Sequence, residues 1–203
     1  MTRWMPAITL ATLAMSPAAA HAGDYNLSGT LYIQVFKDPD TLGAGLSHDH
    51  VMVAKGWSGS ASYDAAAPGS CNISVTVPVS SLDVDPDYMR QAVGYDTMLT
   101  ADQRADVKKN MLAATQLNAA AHPNITFQST SCTATAISGN LTIRGTSRPV
   151  TLTAQIAEDG TSFSAKGQVG IRATQFGFEP YSALFGQLKN RDDMKLTVKF
   201  QSQ

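Results

Sequence analysis

The chain has 203 residues, of which 43% are hydrophobic, 15% charged and 7% aromatic, with 15 Lys and Arg against 16 Asp and Glu and two Cys. A chain of that length buries an apolar core without metals or staples, yet is too short for two ordinary domains and a linker, so one globular domain is predicted. The formal net charge of −1 argues against sequence-independent nucleic-acid binding, which needs a basic stripe to displace counterions.

Residues 1–22 read as a secretory signal peptide: Arg3, an apolar run from Met5 to Met15, then small residues ending Ala20-His21-Ala22 as an A-x-A-like cleavage site. The run is about half the roughly 20 residues of a membrane span, and nothing later is apolar for as long, so no transmembrane segment is expected. The exported chain then starts near Gly23 as a single domain over 23–203. Its short, Ala-rich signal points to the bacterial periplasm.

Alternation of period two marks half-buried strands along most of the exported chain. It runs through Leu31, Ile33 and Val35 after Gly29-Thr30, then Ile73, Val75, Val77 and Val79. It resumes at Leu141 and Ile143, at Val150 to Ile156, at Phe163 to Ile171 and at Met194 to Phe200. Turns are read at Asp38-Pro39-Asp40, Ala67-Pro68-Gly69, Ser138-Gly139-Asn140, Gly145-Thr146-Ser147 and Glu158-Asp159-Gly160. Between Pro86 and Ala121 the pattern becomes helical. Asp85 is read as an N-cap before Pro86 at the first helical position, and Thr100 with Gln103 forms a capping box. Val107, Met111 and Leu112 give an apolar stripe, while Lys108-Lys109 beside Asp102, Arg104 and Asp106 is a solvated face. His122-Pro123 ends the helical region and Ile125-Thr126-Phe127 resumes strand. Six to eight antiparallel strands around one helical insertion tend to close, because closure removes exposed edges. A small closed barrel either fills with side chains or holds one small ligand, and periodicity leaves both open.

The pair Cys71 and Cys132 belongs to an exported, oxidising compartment, which favours a bridge over two free thiols. Parity opposes it: Cys71 shares a face with Ile73, Val75 and Val77, whereas Cys132 falls in phase with Gln128 and Thr130 rather than Ile125 and Phe127. A bridge therefore requires a bulge or an irregular strand end.

The stretch Gly139-Asn140-Leu141-Thr142-Ile143-Arg144-Gly145-Thr146-Ser147-Arg148-Pro149-Val150-Thr151-Leu152 resembles the G-x-L-T-[IL]-[RK]-G-[VT]-[TS]-[KR]-P-V-x-L hairpin of the YceI-like family. Leu117 to Ser129, Gly59 to Asp64 and Asp192 to Val198 match in the same order, so the likeness covers nearly the whole exported chain. The resemblance implies an all-β fold: an antiparallel eight-stranded lipocalin-like barrel with a helical insertion, whose pocket binds a long-chain polyisoprenoid or a related fatty lipid. Members of that family look like carriers rather than enzymes, and no cofactor is implied. The scaffold carries the signature, so ligand chain length, headgroup and oligomeric state are not read from it.

Inward apolar positions make the candidate cavity lining Val75, Val77, Val79, Phe127, Leu141, Ile143, Phe163, Ile171, Phe176, Phe178, Tyr181, Leu184 and Phe185. The last three sit in a segment that reads either as an aromatic flap at the barrel mouth or as a plug closing one end of the core. Met89, Met98 and Met111 read as core packing, with an adaptable lipid wall as the alternative. His48 and His50 share one face if their segment is extended, so they are candidates for a headgroup or partner contact. The only other His after residue 22 is His122, which leaves a three-ligand metal site without support, and no metal is assigned. No G-x-S-x-G elbow, H-E-x-x-H or Walker loop is present, so no catalytic residue is assigned. The expected function is a periplasmic lipid carrier. The alternatives are an envelope scaffold with a filled barrel docking a partner through His48 to His50 and, more remotely, a His-dependent metal enzyme.

Overall fold

The computed structural model describes residues 23–203; the signal segment read over 1–22 lies outside them. Eleven strands form one antiparallel sheet: β1 (Gly23–Lys37), β2 (His50–Ala54), β3 (Ser58–Tyr63), β4 (Asn72–Pro78), β5 (Leu82–Val84), β6 (Asn124–Thr133), β7 (Ala136–Ile143), β8 (Thr146–Glu158), β9 (Phe163–Arg172), β10 (Ser182–Ala183) and β11 (Leu188–Ser202). Eight of them close a ring in the order β1, β3, β4, β6, β7, β8, β9, β11 and back to β1. Pairing of β1 with β11 from Leu27↔Ser202 to Lys37↔Asn190 makes the closure, so neither long edge is left to solvent. The remaining strands extend this wall: β2 pairs with the second half of β1, β5 with β2, and β10 with the start of β11.

Two helices fill the connection from β5 to β6: α1 (Asp87–Ala92) and α2 (Ala101–Leu112). The Thr100 capping box forms as expected, with Gln103 N–H donating to Thr100 Oγ1 at 3.3 Å and Thr100 N–H to Gln103 Oε1 at 2.8 Å. Asp85 is not the N-cap of α1. That position falls to Pro86, and the Asp85 carboxylate is used elsewhere.

Three local expectations are corrected. First, β1 begins at Gly23 rather than near Gly29, because Tyr25 and Leu27 continue the buried phase of the strand. Gly29 is a point of close approach inside it: its φ is 125°, and a Cβ there would stand 2.0 Å from the Lys199 carbonyl oxygen. Second, Ser138-Gly139-Asn140 is strand and not turn; β6 and β7 are joined at Ala134-Thr135. Gly139 is there because a Cβ would come within 2.5 Å of the Phe127 ring, so it makes room for an aromatic across the pair. Third, β4 stops at Pro78, and Val79 enters a 3₁₀ turn over Val79–Ser81.

The cysteines are bridged, with Cα atoms 5.9 Å apart. The register of β6 against β7 slips between Ser129 and Ser131, leaving Thr130 as an extra residue. That bulge moves Cys132 from the outward phase to the inward one, where it is buried beside Ile137, and so satisfies the parity requirement for a bridge.

Candidate functional site

The barrel has a closed end and an open one. At the closed end Phe163 stacks on Tyr25 with ring centroids 5.7 Å apart and meets Tyr63 at 5.6 Å. Tyr25 donates to Glu158 at 2.8 Å; burial, and then this carboxylate, push its phenol up to about 12. Above this floor lies a cavity of about 230 Å³ lined by aliphatic and aromatic side chains of all eight ring strands except β3. The interior is not filled, contrary to the packed-core alternative. Along β11 the lining runs from Asn190 to Phe200, roughly 30 Å of strand.

The structure places Val75, Val77, Phe127, Leu141, Ile143, Ile171, Phe178 and Tyr181 on the cavity wall. Ile73, Ile125, Leu152 and Val198 join them on the same inward phases and were legible by the same alternation; Met52 joins them too, from β2, where Val51 to Ala54 are buried on both faces and the sequence shows no alternation. Val107 and Met111 of α2, with Leu117 after it, complete the wall where β5 pairs only with β2 and leaves the sheet open beside β6. Met111 is thus wall, whereas Met89 packs outside the barrel against Val51 and Val53, and Met98 is exposed.

Five candidate lining residues lie elsewhere. Phe163 is part of the floor, and Val79 is buried in its 3₁₀ turn, out of the strand phase that would have aimed it inward. Phe176 ends the 3₁₀ turn Ala173–Phe176 and packs behind the wall in a cluster with Ile171 and Phe178. Leu184 and Phe185 do not plug the core. Both sit at positive φ (49° and 56°), and this turn presents Leu184 at 58% and Phe185 at 107% relative exposure. The facing loop presents Leu42 and Leu46 to solvent, and the two loops are tied by Gly43 N–H donating to the Gln187 carbonyl at 2.9 Å.

Polar groups reach the cavity mainly around its open end. Asn110 donates to the Tyr181 hydroxyl at 3.2 Å, Gln116 to the Glu179 carbonyl at 3.2 Å, and Arg191 is held bidentately by Asp193 at 2.8 and 2.9 Å. His50 begins β2 and lines the cavity; its partner across the pair is Val35. Its Nδ1 stands 2.6 Å from Asp85 Oδ2. Asp85 Oδ1 accepts from Arg90 at 2.7 Å and from the Val51 amide at 2.9 Å. Asp85 is 0% and Arg90 1% exposed, so this ion pair is fully withdrawn from water. Burial works to raise the Asp85 pKa, but the His50 contact, the Val51 amide and Arg90 together hold the carboxyl below its usual range.

His48 does not converge with His50. Residues 47–49 form a loop rather than strand, and Asp49 turns to accept from the Lys37 amide at 2.9 Å. Burial first, and then the positive groups around it, lower the His48 pKa. Among the described residues no group of three or more His, Cys, Asp and Glu side chains is placed to hold a metal.

Residues 36–202 match the YceI-like domain model. The chain belongs to the YceI-like family. A UPF0312 protein of Azotobacter vinelandii is 30% identical over 107 residues, 50% of this chain and 46% of that protein, so this match spans about half its length. Protein YceI of Escherichia coli is 24% identical over 190 residues, 85% of this chain and 86% of that protein. Among solved structures, Burkholderia cenocepacia BcnA superposes with a TM-score of 0.60 at 14% identity, covering 85% of this chain and 96% of that one. The Campylobacter jejuni YCEI protein gives 0.54 at 17% identity, covering 74% and 82%. At these identities the likeness is one of fold. The YceI-like hairpin motif read from the sequence is the β7–β8 pair, turned at Arg144-Gly145, and its Leu141 and Ile143 face the cavity.

The sequence reading missed Asp85 and Arg90. Asp85 precedes a helix start and Arg90 lies in the last turn of the same short helix, where capping, dipole and solvation roles are the ordinary ones. One signal was available: Val84, Pro86 and Met89 surround them with apolar neighbours, an unusual setting for two solvated charges.

Proposed function

We propose that this YceI-like protein is a periplasmic carrier that holds a long-chain polyisoprenoid or related apolar lipid, with its tail in the barrel cavity and its head at the open end. One observation carries the reading: an apolar cavity with an aromatic floor and polar groups gathered mainly at the other end, the polarity profile of a single-headed lipid. Each methylene withdrawn from water contributes about 0.8 kcal/mol before ordering costs. No catalytic step is assigned to it, and no cofactor is needed for this role.

Val77 pairs with Ile125 on the wall, so Val77→Trp fills the tail channel from a position with an apolar neighbour. Overpacking costs about 1–3 kcal/mol, which a barrel of this size tolerates. The expected result is a folded protein by circular dichroism that carries no lipid in native mass spectrometry, against a lipid-bearing wild type. Equal occupancy of the two, or a bare wild type that also refuses added isoprenoid, would end the carrier reading.

Carriage also needs a transfer step at a bilayer, and the exposed Leu42, Leu46, Leu184 and Phe185 lie on the two loops beside the open end. The double substitution Leu184→Ser and Phe185→Ser should slow lipid transfer between vesicles severalfold and leave equilibrium occupancy unchanged. An unchanged transfer rate would remove these loops from the exchange step.

A further inference from the structure

Alternation along β2 sends His50, Met52 and Ala54 to the cavity and turns Val51 and Val53 outward, where Met89 of α1 covers Val51 and Val53. His50 is therefore the imidazole of an otherwise largely apolar wall. Its ring is not free to choose a tautomer. Asp85 Oδ2 lies 2.6 Å from Nδ1 and has only a lone pair to offer, so Nδ1 carries the proton and donates. Asp85 cannot turn away, because Oδ1 is committed to Arg90 and to the Val51 amide. Nor can Arg90 move: it also donates to the carbonyls of Asp49 and Thr97, each at 2.7 Å, and its guanidinium lies 5.1 Å from the Tyr95 ring centre.

With Nδ1–H given to Asp85, Nε2 is the ring nitrogen left to meet a ligand, and its direction is fixed. It has no hydrogen-bond partner among the described residues. No described side-chain nitrogen or oxygen is both buried and unpaired, so Nε2 keeps accessible surface, and His50 lines the cavity. The cations that could answer an acidic headgroup here are engaged: Arg90 with Asp85, Arg191 with Asp193, and Lys37 with the carbonyls of Ala44 and Ser47.

We propose that His50 Nε2 accepts a hydrogen bond from the lipid headgroup, and that the cavity selects long-chain lipid alcohols over the corresponding acids and ethers. The inference rests on the carrier reading and narrows its ligand class. A hydroxyl donates to Nε2, so its O–H does not enter the cavity unpaired. An ionised carboxylate has no proton to donate to Nε2, and an ether has no donor at all.

The test is a fluorescence-displacement titration of the mature wild-type protein with geranylgeraniol, its methyl ether and geranylgeranoic acid, three ligands with one tail. The alcohol should bind about tenfold more tightly than the ether, with the acid weaker still. In His50→Leu the three affinities should converge, with the alcohol losing most. The ether comparison uses unmodified protein, so it stands even if that variant folds poorly. Equal binding of alcohol and ether to the wild type overturns the headgroup assignment while leaving the carrier intact. Binding of none of the three overturns both.

Discussion

Replacing Arg90 by leucine lowers the free energy of unfolding by about 3–5 kcal/mol. The cause is the charge left behind: Asp85, at 0% exposure, keeps His50 and the Val51 amide but loses the cation that neutralises it. The guanidinium also holds the carbonyls of Asp49 and Thr97, so its loss loosens both the entry to β2 and the segment after α1. Denaturant titration at neutral pH measures the effect. A loss below about 1 kcal/mol would mean that water enters and solvates Asp85. The double substitution Asp85→Leu with Arg90→Leu should recover part of the loss, because removing both charges strands neither. Acid adds a sign test. The folded-state pKa of Asp85 is depressed, so its contribution is fully present above the ordinary carboxylate range and is lost as pH falls through the folded value. Wild-type stability should therefore fall toward acid, and the double variant should fall less steeply over that window.

The second large effect is at the opposite end of the barrel. Replacing Cys71 and Cys132 together by serine should cost about 4 kcal/mol, since the bridge spans a sequence separation of 61 and removes that loop's entropy from the unfolded chain. The thermal midpoint should drop on the order of 10 °C. Lipid occupancy of the folded fraction should not change, because the bridge sits beside the closed end, away from His50 and the mouth. Reduction that strips the lipid without unfolding the chain would show that the floor opens for loading.

Much of the fold was legible because a barrel wall repeats one simple physical demand. Inward residues must be apolar and outward ones polar, so Ile73, Val75 and Val77, or Leu141 and Ile143, announce their face by alternation alone. The YceI-like hairpin added the closure. Where the chain leaves that rhythm the reading failed: Val79 looked like a fourth inward residue, but Pro78 ends the strand one position earlier. Phe163 has the inward phase, yet phase says nothing about height along the barrel axis, and it became floor rather than wall. Leu184 and Phe185 were assigned inward on apolarity, but a turn with two residues at positive φ points them to solvent.

By itself the sequence determined the all-β barrel class, the inward phase of most of the wall, the Thr100 capping box and the family. It also stated the condition for the disulfide, a bulge, without locating it. Only the tertiary structure could decide that the interior is open, because an empty and a filled barrel share one hydrophobic pattern. Only it could join Asp85 to His50 across 35 positions and to Arg90 across five. Pairing between charged side chains is set by how strands and helices meet in space, and neither residue type nor spacing records that.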